Sequence, residues 1–139
     1  MNKKETDIFD KNCWDDEQFC LKQVKRIGTY LKYCNAKTEE VCNAAIKKSG
    51  WAIEYVENPT HEMCITAVKN DSWVLEVIKN QTEDVCLIAV KKNPTVLCVV
   101  KNPTFNICLE AIKKNKSCIR YVNKEKFPEI YQIWSLLYD

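Results

Sequence analysis

The chain has 139 residues, 46% of them hydrophobic and 29% charged, with a formal net charge of +2. That is enough apolar material for the continuous core of one domain. Two glycines and four prolines leave little room for long loops. No apolar run approaches the roughly 18 to 20 residues a transmembrane helix needs.

The N-terminal stretch MNKKETDIFDKNCWDDEQ has two lysines with no apolar segment behind them, unlike a secretory signal. This predicts an intracellular protein, and Ile8, Phe9 and Trp14 are expected to cap one end of the fold. From Asp16 onward the chain repeats. Cys20, Cys42, Cys64, Cys86 and Cys108 stand 22 residues apart. Five copies begin at Asp16, Thr38, Thr60, Thr82 and Thr104 without insertions. They occupy 16–37, 38–59, 60–81, 82–103 and 104–125, with 1–15 as an N-terminal cap and 126–139 as a C-terminal half-repeat.

Each copy predicts two short helices. Apolar or small residues at repeat positions four, five, eight and nine, as in Val41, Cys42, Ala45 and Ile46, make one face of a first helix over positions two to eleven. Thr38, Thr60, Thr82 and Thr104 stand at its N-cap, and acidic residues such as Glu39, Glu40 and Glu83 fill the first turn. Paired lysines and a breaker such as Ser49-Gly50 or Asn93-Pro94 end it. Positions fifteen, sixteen, eighteen and nineteen, as in Ala52, Ile53, Tyr55 and Val56, predict a second helix over about positions fourteen to twenty. Neither helix buries both faces alone, so the expected fold is all-α, an α-solenoid of five 22-residue repeats closed by a C-terminal helix. Alanine at position eight suits close approach of successive first helices; Gln23 in the first copy departs from it, as a terminal repeat facing solvent would.

The strings VCNAAIKKSGWAIEYVEN, MCITAVKNDSWVLEVIKN and VCLIAVKKNPTVLCVVKN resemble the tandem repeats called domain of unknown function 4116, abundant in giant DNA viruses of amoebae. The shared frame is an aliphatic residue, A-[VI]-K at the end of the first helix, a glycine-like turn, and L-x-[YV]-[VA] in the second. It covers about residues 16 to 125, and Asn93-Pro94 and Asn115-Lys116 depart from the glycine-like turn. The resemblance implies an all-helical viral repeat protein, in the host cytoplasm or the virion, with no catalytic residue to carry over.

The nine cysteines are expected to be reduced. Equivalent positions in stacked helices lie about 8 to 10 Å apart, beyond the roughly 7 Å between Cα atoms that a disulfide allows. The ladder reads as small buried hydrophobes. Without C-x-x-C or C-x-x-H pairs, and with one histidine, His61, metal and cofactor binding are not expected. Cys13, Cys34, Cys98 and Cys118 lie off the ladder, where a reactive thiol has its best chance. Dinucleotide, P-loop and nucleophile-elbow signatures are missing too, so an enzyme is not expected.

Three surfaces remain as candidates. Lys25, Lys47, Lys69, Lys91 and Lys113, with Lys48, Lys92 and Lys114 beside them, would line one basic edge. Such an edge could follow a phosphate backbone, or could simply complement the helix dipoles and keep the protein soluble. Trp51 and Trp73 share one repeat position, where they either form a hot spot or lie flat over the neighbouring turn. Trp134, Leu137 and Tyr138 make the last helix apolar enough to seek a partner. The function expected is a protein interaction module, with self-association as one form of it. Nucleic-acid or anionic-surface binding and a structural role in a virus particle are the alternatives.

Overall fold

The computed structural model describes residues 11–138. It is all-α, with no strand among those residues. Five α-helices of ten residues, α1 (Glu17–Arg26), α2 (Glu39–Lys48), α3 (His61–Asn70), α4 (Glu83–Lys92) and α5 (Phe105–Lys114), occupy positions two to eleven of the repeats. A longer α6 (Pro128–Tyr138) follows them. The caps form at Thr38, Thr60 and Thr104, whose hydroxyl oxygens accept from the N–H groups of Val41, Met63 and Ile107. Thr82 differs. Asp84 draws its hydroxyl away at 2.5 Å and itself accepts from Val85 N–H, so Thr82 makes no cap bond although its backbone is placed for one.

The second element of each repeat is a 3-10 helix, one residue earlier and shorter than expected: η2 (Gly28–Tyr33), η3 (Gly50–Tyr55), η4 (Ser72–Glu76), η5 (Pro94–Val99) and η6 (Lys116–Tyr121), with η1 (Lys11–Asp15) preceding α1. The reason lies in the apolar spacing. In the first helix the pairs recur four residues apart, close to the α period, whereas fifteen-sixteen and eighteen-nineteen recur three apart, which is one 3-10 turn.

The turn between the two elements is uniform and needs no glycine. One extended residue, Ile27, Ser49, Asp71, Asn93 or Asn115, with φ between −148° and −137°, makes it in every repeat. Its N–H closes the last helical bond onto the position-eight carbonyl. The expected glycine cap is therefore replaced, and Ser72, Pro94 and Lys116 fit where Gly28 and Gly50 stand. Gly28 answers to close approach, because a Cβ there would run into the Ala45 carbonyl oxygen and sit 2.9 Å from Ser49.

The chain divides into two compact units, Met1–Asp71 and Ser72–Asp139, with the boundary inside the third repeat. In the first, α1 packs on α2, α2 on α3, and η2 on η3. In the second, α4 packs on α5, α5 on α6, and the 3-10 helices likewise follow sequence order. Side chains also stitch repeat to repeat. The hydroxyls of Thr38 and Thr104 donate to Glu17 and Glu83 of the preceding repeats, both at 2.7 Å. The amide of Asn70 accepts from Gly50 N–H at 2.9 Å, setting the C-terminal end of α3 against that of α2. Lys37 and Gln81 each donate to a 3-10 carbonyl of the following repeat, Tyr55 and Val99.

The core follows the repeat. Ala45, Ala67, Ala89 and Ala111 are fully buried, as close helix approach requires, and the ladder cysteines are at most 6% exposed. Gln23 corrects an expectation, being 5% exposed rather than facing solvent, with its side-chain amide oxygen accepting from the Arg26 guanidinium at 3.2 Å. At the N-terminal end Trp14 is buried against Phe19, Tyr30 and Tyr33, and its carbonyl accepts from Asn35 and Ala36 N–H. Ile8 and Phe9 lie outside the described residues.

Candidate interaction surfaces

Every lysine of the proposed basic edge is exposed at the C-terminal end of an α-helix. Lys25, Lys47, Lys48 and Lys69 belong to the first unit and Lys91, Lys92, Lys113 and Lys114 to the second. At the other end of the same helices the acids are partly engaged, Glu17 and Glu83 by threonine hydroxyls.

The tryptophans separate. Trp51, in the first unit, is half-buried and donates its indole N–H to Asp71 at 2.9 Å. Trp73, in the second, is 38% exposed at the start of η4.

On α6 the polar tips of three aromatic residues turn inward. Tyr138 donates its hydroxyl proton to the Ile112 carbonyl at 2.8 Å, Trp134 its indole N–H to Lys116, and Tyr131 its hydroxyl proton to Val122 at 3.0 Å. The Ile112, Lys116 and Val122 carbonyls, at the ends of α5 and η6, are thereby satisfied. Trp134 and Tyr138 are thus closing groups first. Leu137 remains 53% exposed, and Leu136, not singled out from the sequence, is 88% exposed. Its signal was present: Leu136 stands at the repeat position that holds Arg26, Lys48, Lys92 and Lys114 elsewhere. A groove of about 570 Å³ runs beside it, lined by Lys124, Pro128, Tyr131, Gln132, Ser135 and Leu136.

A larger trough, about 800 Å³, lies on the outer face of α1 and α2 and was not anticipated. Leu21 and Ala44 contribute apolar wall, Asn43 its middle, Glu39 and Glu40 one end, and Lys25, Lys47 and Lys48 the other.

All the described cysteines are free thiols. Burial pushes the ladder thiols Cys42 and Cys64 upward in pKa and takes Cys86 and Cys108 to about 11. Cys34, off the ladder, is pushed up to about 12 by burial and by its contact with the Cys20 thiol. Protonated buried thiols are poor nucleophiles and poor metal ligands. Cys98 is the exposed one. Among the described residues no group of three or more Cys, His, Asp or Glu is placed to hold a metal ion, and no helix is long and apolar enough to cross a membrane. Comparison with known proteins finds no matching family model, no similar curated protein and no similar solved structure.

Proposed function

We propose that the protein is a non-enzymatic helical-repeat interaction module, of the viral kind that its resemblance to the domain of unknown function 4116 repeats implies, and that it binds a protein partner inside the infected cell or the virion. The observation that carries this reading is α6. Its aromatic tips are committed to closing the last repeat, while Leu136 and Leu137 stay at 88% and 53% exposure beside an open groove. Two adjacent leucines left outward on an anchored helix suit a partner's apolar side chain, since burial in a protein interface is the common use of such a display.

The test replaces Leu136 and Leu137 by serine and compares, at matched helical content, what each form captures from host-cell extract. A partner captured by the wild type and lost in the variant supports the reading. Equal capture by both overturns it.

A second reading, nucleic-acid or anionic-surface binding, is favoured by the exposure of all eight edge lysines. Binding to generic DNA and RNA at low and physiological salt tests it. Affinity must fall steeply with salt and be lost when Lys47, Lys69 and Lys91 become glutamate; absence of binding at low salt removes it.

A further inference from the structure

The outer face of α2 is complementary to itself. Its exposed and half-buried positions read Glu39, Glu40, then Asn43, Ala44, then Lys47, Lys48, and the charges are reversed about the midpoint between Asn43 and Ala44. Glu39 lies as far on one side of that midpoint as Lys48 on the other, and Glu40 matches Lys47 in the same way. The structure places all six in one trough of about 800 Å³, which Leu21 and Lys25 of α1 extend. Asn43 and Ala44 line its middle, where α3, α4 and α5 carry Ile65 and Thr66, Leu87 and Ile88, or Leu109 and Glu110.

The geometry points to a second copy of this chain as the occupant: two molecules dock through the outer faces of α1 and α2, antiparallel about a two-fold axis at Asn43 and Ala44. Under that rotation Glu39 and Glu40 of one copy face Lys48 and Lys47 of the other, and the pairing recurs on the far side of the axis. An isologous interface has this reciprocal form, residue i meeting j while j meets i. Glu40 and Lys47 are separated by about 10 Å along the helix, so the two charged clusters flank a small-residue centre at which the helices approach closely. The antiparallel arrangement also sets each helix dipole against its opposite. A partner of unrelated sequence would have to reproduce this order of charge, whereas α2 itself supplies it. The inference deepens the interaction-module reading by naming one partner, and it uses a different surface from α6.

Sedimentation equilibrium or light scattering at low salt tests it. The wild type is expected at twice the chain mass of 16.3 kDa, dissociating as salt is raised. Glu39→Lys with Glu40→Lys, and separately Lys47→Glu with Lys48→Glu, are each expected at the single-chain mass. An equimolar mixture of the two variants regains the doubled mass, because an all-basic face then meets an all-acidic one. Ala44→Arg, which fills the trough without altering either helix end, is expected to be single-chain as well, so loss of the dimer is separable from loss of the fold. Reversing Glu83 and Asp84 on α4, where the same charge order flanks the bulkier Leu87 and Ile88, leaves the dimer intact. So does the Leu136→Ser, Leu137→Ser pair, which separates this inference from the α6 reading. A single-chain wild type at about 100 μM in low salt overturns the inference, as does a doubled mass that survives both α2 swaps.

Discussion

In the second to fifth repeats the α-helix buries two pairs of positions four apart and closes its own hydrogen bonds over ten residues, whereas the 3-10 helix beside it has only five or six residues. Its hydrogen-bond geometry is also poorer. The α row is therefore self-sufficient in backbone bonding and leaves its outer positions free to vary, as Asn43 and Ala44 against Leu87 and Ile88 show. The 3-10 row depends on its surroundings. At Gly28 it presses on the end of the following α-helix, at Ala45 and Ser49, and Lys37 and Gln81 reach across to its Tyr55 and Val99 carbonyls. Disturbing the 3-10 row should thus cost more than disturbing the surface of the α row.

The largest loss is expected for Leu31→Ala. Leu31 is fully buried in η2, and the substitution should lower unfolding free energy by about 3 kcal/mol in urea titration. Next comes Gly28→Ala, at about 2 kcal/mol, because the added methyl group meets the Ala45 carbonyl at the junction of the two rows. An unchanged midpoint for Gly28→Ala would mean that the junction has slack and that the rows are less tightly coupled than their packing indicates.

Caps sharpen the comparison within the α row. Thr38→Ala removes both the cap of α2 and the bond to Glu17, a loss of about 1 kcal/mol. Thr82→Ala, which removes no cap bond, should cost a few tenths at most. Equal losses would show that the threonine hydroxyl contributes through something other than capping.

Alkaline pH probes the cysteine ladder between the rows. The Cys86 and Cys108 thiols rise from 9.0 to about 11 on folding, so they stay protonated in the folded chain after they ionise in the unfolded one. The stability they confer is complete below pH 9 and is lost as pH rises from about 9 to 11. Urea midpoints taken across that window should fall, and fall less in Cys86→Ala. The smallest effect is expected at Ser72, whose buried hydroxyl has no hydrogen-bond partner. Ser72→Ala should leave thermal stability unchanged or raise it slightly, since nothing is lost with the oxygen.

Much of the α row was legible in the chain itself. Caps at Thr38, Thr60 and Thr104, the helix span from position two to eleven, and burial of Ala45 and its equivalents all follow from local periodicity. Thr82 was legible as a position and not as a partner, because a neighbouring carboxylate, Asp84, competes for its hydroxyl. The 3-10 character was written in a three-residue spacing that is easily taken for a short α-helix. The surfaces were harder. Trp51 is an obvious aromatic, but only the fold brings Asp71 to its indole N–H; Leu136 is one leucine among several until packing leaves it outside.

The sequence by itself determined the repeat, the order of helices and which face of each is buried, because periodicity, capping and helix-dipole preference act over a few residues. Tertiary structure alone decided what the outer faces became. Whether Gln23 is buried, which aromatic tips bond the carbonyls of α5 and η6, and whether a small pair such as Asn43 and Ala44 lines a trough depend on residues of a neighbouring repeat, brought near only when one repeat packs on the next.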